Sequence, residues 1–280
     1  MEEIKKGDVV GRISYKEDIL FFVKKIIILK DGRKIAILKG ITERIEADSE
    51  IKDLHLIPKE KVKQKIEELD VRVEKRILNE QKNKKDIQIN ENRIRNSIVT
   101  GKILHLDGDR KYSEKSLKYY RRMGLNAIVK NVSEYMQPRI VYTLLVRYKP
   151  DILVLTGHDG MIRKETGYND IYNYRNSKYF IEAVKEAKRY ERDSNRDISI
   201  FAGACQSYFE ALILAGANFA SSPARILIDI LDPLIVAERI ATTSYTKYLT
   251  IDDIENDLRD GKRGIGGVGS KRKKKNVTFV

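Results

Sequence analysis

The spacing of hydrophobic positions changes twice along the chain. In residues 7–47 the short apolar runs DVVGRIS, DILFFVKKIIIL, RKIAILKG and TERIEA are separated by turn residues. The Asp-Gly of LKDGRK lies between two of these runs, which is a strong short-range signal for a β-hairpin. Four or five short strands in so short a stretch predict a small SH3-like β-barrel over residues 1–57. From Pro58 the composition turns to Lys, Glu and Arg. There Val62, Ile66, Leu69, Val73 and Ile77 recur at spacings of three and four, giving a helix one apolar face. The segment NEQKNKKDIQINENR loses that period and reads as a linker, so residues 58–99 are expected to form a charged helical linker.

From residue 101 strand-like and helix-like segments alternate. KILHLDGD, NAIVKNV, DILVLTG, DISIFAGA and NFASS read as strands. SEKSLKYYRRMG, SEYMQPRIVYTLLVRY, NSKYFIEAVKEAKRYERD and SYFEALILAGA read as helices, the second with a kink expected at Pro138. Runs such as ILVL are apolar on both faces, as strands covered by helices on both sides must be. The pattern predicts an α/β domain over residues 100–258, three-layer with a mostly parallel sheet. The last residues, 259–280, read as a flexible basic tail because GKRGIGGVGSKRKKK is glycine-rich and follows no strand.

Composition narrows the classes. The N-terminus MEEIKKGDVVGR lacks the apolar core of a signal peptide, and lysines interrupt the greasiest run, ILFFVKKIIILK, far short of a membrane span. A soluble protein is expected. A single cysteine excludes an internal disulfide and a Cys-rich zinc site. The formal charge of +14 fits nucleic acid, an acidic surface or an acidic protein as a partner, and also a merely solvated tail, since SKRKKK at 270–275 carries five of the positive charges. Walker A, GxGxxG, HExxH and GxSxG motifs are all absent. LDGD at 106–109 puts two aspartates at a strand end, where a polar turn is a simpler reading than a Mg²⁺ site.

The chemistry-bearing residues lie at two strand ends. DILVLTG closes on His158, and DISIFAGA closes on Cys205, the only cysteine. In open α/β sheets, working groups gather at the carboxyl ends of the strands. On neighbouring strands the two side chains start about 5 Å apart. An imidazole and the amides of a following helix both favour the thiolate. A thiolate can attack a peptide carbonyl, and the imidazolium can protonate the leaving amine. Gly157 and Gly160, on either side of His158, leave room for a substrate backbone. A lone cysteine after an apolar run is more often a small buried hydrophobe, so a non-catalytic binding or assembly protein stands as the alternative. His55 and His105 read as structural or incidental.

Chain order separates the thiol hydrolases. Glutamine amidotransferases and papain-like enzymes place Cys before His, whereas no histidine follows Cys205 here. Caspases place the His about 50 residues upstream, and here the interval is 205 − 158 = 47. The order and architecture resemble the caspase-like cysteine peptidases. TGHDG, AGACQSYFEALILAGANFASSP and the leading KGDVVGRISY further resemble the YabG family of sporulation peptidases over nearly the whole chain.

That resemblance implies a cysteine endopeptidase of endospore-forming bacteria that processes spore coat or cortex-associated proteins after Arg or Lys. It implies a Cys205/His158 dyad, no cofactor or metal, and no nucleic-acid partner. It also implies action in the mother cell's cytoplasm at the forming coat, with barrel and tail as substrate or assembly contacts. Gly160, Asp159 and Gln206 are its candidate oxyanion and substrate residues. Some arginine-specific members of the caspase-like group carry an acid two residues before the Cys, where this chain has Gly203. A buried guanidinium needs a carboxylate, and Asp159, Asp229 and Asp232 are the candidates for it.

Overall fold

A computed structural model describes residues 3–90, 100–162, 167–244 and 246–271, with side chains omitted for 83–90 and 271. The N-terminal part is an antiparallel five-stranded sheet made of β1 (Val9–Arg12), β2 (Phe21–Ile28), β3 (Lys34–Gly40), β4 (Glu46–Glu50) and β5 (Leu54–Leu56), in the order β4-β3-β2-β1-β5. Asp31 and Gly32 make the β2–β3 turn, with Gly32 at φ 83°, as the Asp-Gly signal predicted. Val10, Phe21, Val23, Ala36 and Leu38 supply its buried face.

Helix α1 (Lys59–Asn90) follows. The predicted apolar face exists: Leu69, Val73 and Ile77 are buried, and Val62 and Ile66 are half-buried. The helix runs on past Ile77 through the stretch read as a linker, whose remainder, residues 91–99, lies outside the described residues. Ion pairs tie it to the domain that follows: Asp70 to Lys115, Glu74 to Lys118 and Arg122, and Glu80 to Arg239.

That domain alternates β6 (Ile103–Asp107), α2 (Arg110–Arg122), β7 (Ala127–Asn131), α3 (Gln137–Tyr148), β8 (Ile152–Thr156), α4 (Ser177–Ser194), β9 (Ser199–Ala202), α5 (Phe209–Ala215), β10 (Phe219–Ser221) and α6 (Asp232–Thr242). Its six-stranded sheet, which includes β12 (Ile265–Gly267), has the order β12-β10-β9-β8-β6-β7, mostly parallel. Every residue of β6, β8 and β9 is buried. Leu104, Leu106, Leu153, Leu155 and Ile200 face α3, α4 and α5, while Ile103, Ile152, Val154 and Phe201 share a cluster with α2, α6 and the apolar face of α1. Pro138 does not kink a helix. It sits in the first turn of α3, after a short 3₁₀ turn (Glu134–Met136), where its missing N–H costs nothing.

The expected tail is ordered as far as residue 271. After β11 (Tyr248–Leu249), β12 (Ile265–Gly267) adds an antiparallel edge to β10, and β13 (Ser270–Lys271) pairs with β11. Its glycines suggested flexibility, but they serve packing. A Cβ on Gly266 would collide with the Phe209 ring and Pro223. Ile265 is fully buried, whereas Val268 is 60% exposed. Ile265→Ala is therefore expected to lower unfolding free energy by roughly 2–4 kcal/mol and Val268→Ala by less than about 0.5 kcal/mol, measured by denaturant titration. Equal effects would remove β12 from the folded core.

Candidate active site

Strands β8 and β9 are adjacent and parallel, with Leu155 opposite Ala202. His158 and Cys205 each lie three residues beyond that pair (158 − 155 and 205 − 202), at the carboxyl edge of the sheet. The loop carrying His158 is held from several sides. Its backbone N–H donates to Glu134 Oε1 at 2.7 Å, and its carbonyl accepts from Asn176 Nδ2 at 2.8 Å. The imidazole meets the Tyr112 ring edge-on at 5.6 Å, and Nε2 lies 3.2 Å from the Gly40 carbonyl. Nδ1 is buried without a hydrogen-bond partner among the described residues. Burial, and secondarily the Lys39 charge, lowers the imidazole pKa to about 3. The ring is then neutral, with its proton on Nε2 facing Gly40 and the Nδ1 lone pair free to take a proton.

Cys205 is fully buried. Its Sγ accepts from the Ile228 N–H at 3.4 Å. Burial raises the thiol to about 12, against the opposing pull of the Ile228 and Arg44 amides and the Arg44 charge. The expected help from a helix N-terminus does not reach it, because α5 starts only at Phe209.

Arg44 comes from the other sheet. It sits in the loop between β3 and β4 and is 1% exposed. Its Nη1 donates to Asp107 Oδ2 at 2.6 Å, and its guanidinium lies 4.4 Å from the centre of the Tyr112 ring. Asp107 ends β6 and is held rigidly: Thr156 Oγ1 donates to Oδ2 at 2.8 Å, and the Asp109 N–H to Oδ1 at 2.8 Å. His105 Nε2 lies 2.6 Å from Thr156 Oγ1, and the Tyr120 hydroxyl donates to His105 Nδ1 at 3.2 Å. Burial takes His105 to about 3, so it is a neutral orienting group, in line with its structural reading. Burial alone would raise the Asp107 pKa, but Arg44 outweighs it and the carboxylate stays ionised. His55 is exposed and pairs with Glu17.

The other predicted residues divide between the dyad and the scaffold. The Asp159 carboxylate accepts from Ser177 Oγ, Ser207 Oγ and the N–H groups of Gly160 and Asn176, so it ties the His158 loop to α4 and to the Cys205 loop. Burial raises its pKa to about 6. No basic side chain is among those contacts. Its backbone N–H, however, donates to the Arg44 carbonyl at 3.3 Å. Gly160 is needed for close approach: a Cβ there would meet the Glu46 carbonyl. Gly157 instead makes room for Glu134. The Gln206 N–H is engaged with the Ile226 carbonyl and Ser222 Oγ, and its Oε1 accepts from the Met161 N–H. Asp229 and Asp232 face Arg76 of α1 at 3.7 and 3.6 Å, as part of the helix docking. Asp107, in the LDGD turn, holds the fully buried Arg44 guanidinium. No group of three or more His, Cys, Asp or Glu suited to a metal ion occurs among the described residues.

The sheet thus carries a thiol and an imidazole at adjacent strand ends of its mostly parallel part. A family model for YabG peptidase U57 matches residues 5–278. The chain is also 35% identical over 272 residues to the sporulation-specific protease YabG of Bacillus subtilis (strain 168), covering 94% of this chain and 93% of that one. The chain belongs to the YabG peptidase U57 family and is a protease. The crystal structure of the receiver domain of the Arabidopsis thaliana histidine kinase CKI1, complexed with Mg²⁺, has a TM-score of 0.31 at 16% identity over 50% of this chain and 90% of that one, too slight a likeness to carry an argument. Among the described residues no helix is long and apolar enough to cross a membrane.

A thiol near pKa 12 has roughly a thousandth or less of the thiolate that an ordinary one has at pH 7. Native protein is therefore expected to react with iodoacetamide at Cys205 at least about a thousandfold more slowly than unfolded protein at pH 7, and faster as pH rises, followed by intact mass. Equal rates would contradict the buried, neutral thiol.

Proposed function

We propose that the protein is a cysteine endopeptidase with a Cys205/His158 dyad. The observation that carries this reading is the matched position of the two residues at the ends of β8 and β9, with Nδ1 of His158 unpartnered. His158 Nδ1 takes the proton of the Cys205 thiol. The thiolate adds to the carbonyl carbon of the scissile bond, and the oxygen becomes an oxyanion. The Asp159 N–H, which already donates to a carbonyl, stabilises that charge. The imidazolium then gives its proton to the leaving amine, and the acyl thioester is released by water.

The strand order and the antiparallel β12 edge support a caspase-like reading of residues 100–258, and the antiparallel meander supports an SH3-like reading of residues 1–57. Membership in the YabG family supports a sporulation-specific role. On that reading the enzyme acts in the mother cell on spore coat or cortex-associated proteins and cuts after Arg or Lys. The ordered β12 and β13 move the start of any basic tail to beyond residue 271.

Purified wild-type protein is expected to cleave an arginine-containing coat protein, while Cys205→Ala and His158→Ala lose at least about a thousandfold in rate, read by mass spectrometry of the fragments. Cleavage by Cys205→Ala at the wild-type rate would eliminate the thiol mechanism.

A further inference from the structure

One short segment of the N-terminal sheet touches nearly every group assigned to the dyad and its surroundings. The Gly40 carbonyl meets His158 Nε2 at 3.2 Å. The Arg44 amide faces the Cys205 thiol. The Arg44 carbonyl accepts from the Asp159 N–H at 3.3 Å, and the Glu46 N–H donates to the Asp159 carbonyl at 2.8 Å. Ile45 and Asp159 thereby form a parallel β-bridge. Backbone pairing of an extended segment with the edge of a site, with one side chain in a pocket, is how proteins commonly take up peptides.

The side chain in that pocket is a guanidinium, and burying it is costly without a matched carboxylate. Asp107 supplies one, itself oriented by Thr156 and the Asp109 amide. The match is incomplete from the Arg44 side: its Nε and Nη2 are buried without hydrogen-bond partners among the described residues. A side chain evolved only to clamp two sheets together would gain by satisfying them. A pocket that must accept a side chain from another chain has to let its resting occupant go.

We propose that residues 40–46 lie in the substrate cleft as a substrate segment does, with Arg44 in the place of the residue before the scissile bond, and that Asp107 is the carboxylate that selects a basic residue there. The inference rests on the cysteine-peptidase reading and adds the specificity determinant and its resting occupant. Asp107 reads the substrate side chain through charge. Asp159 holds the carbonyl through its amide, and its carboxylate only positions the loop. Because the occupant belongs to the same chain, its effective concentration is high, and substrate must displace it.

The test compares initial kcat/KM values for two peptides that differ only in having Arg or Gln before the cleaved bond. The enzymes are full-length wild type, Arg44→Ala, Asp107→Asn and Cys205→Ala, each checked for fold by circular dichroism and for an intact chain by mass. Arg44→Ala is expected to raise kcat/KM for the Arg peptide about tenfold or more. Asp107→Asn is expected to lower the Arg-to-Gln preference roughly a hundredfold or more. If Asp107→Asn does not fold, Asp107→Glu is expected to shift the Arg-to-Lys preference instead. Cys205-dependent cleavage with no gain in Arg44→Ala, or with preference unchanged at position 107, overturns this inference alone. Absence of Cys205-dependent cleavage in every variant overturns the peptidase reading and this one with it.

Discussion

The buried ion pair between Arg44 and Asp107 joins the N-terminal five-stranded part of the molecule to its six-stranded sheet. It lies where water is excluded, so neither charge can remain without the other. Breaking such a pair by removing one partner costs about 3–5 kcal/mol, because the remaining charge has nowhere to go. Around this pair the rest of the site is arranged. Asp107 is aimed by Thr156, Thr156 by His105, and His105 by Tyr120. On the other side the Arg44 guanidinium stacks over Tyr112, and Tyr112 packs against the imidazole of His158. Lys39 at the end of β3 adds a second link, to Asp109 at 2.8 Å. The N-terminal sheet therefore packs directly against the loops that carry His158 and Cys205.

The protonation states follow from that cover. His158 and Cys205 are both neutral in this structure because burial penalises imidazolium and thiolate alike. An ion-paired dyad needs those charges solvated or compensated. Lifting residues 40–46 would admit water and remove the Arg44 cation, which disfavours the imidazolium. The same movement would leave the Asp107 carboxylate unpaired until a basic side chain arrived. On the proposed reading, access, dyad ionisation and substrate choice all depend on one contact.

The layers of the fold could be read from sequence because burial on both faces writes itself as unbroken runs such as ILVL, and hairpins as Asp-Gly. The nearness of His158 and Cys205 could be read because each closes an apolar run, and those runs form neighbouring parallel strands. Other features rest on contacts between segments distant in sequence. Asp107 and Arg44 are 63 positions apart, and nothing in LDGD separates a carboxylate paired with a buried guanidinium from a turn. Asp159, Asp229 and Asp232 had the right charge, but their partners were a serine pair, an amide pair and Arg76, which only packing defines. The thiol seemed poised for activation by a helix, but a turn intervenes and burial dominates. GIGGVG has the composition of a tail, yet the space beside Phe209 and Pro223 makes it a strand.

The most direct measurement of the central claim is covalent labelling of the full-length protein with two peptidyl chloromethyl ketones, one ending in Arg and one in Gln, with the modified residue located by mass spectrometry. The account predicts an adduct on Cys205 with the Arg reagent, formed much faster than with the Gln reagent, and loss of that difference in Asp107→Asn. Equal labelling by both reagents, or an adduct elsewhere in the chain, would contradict it.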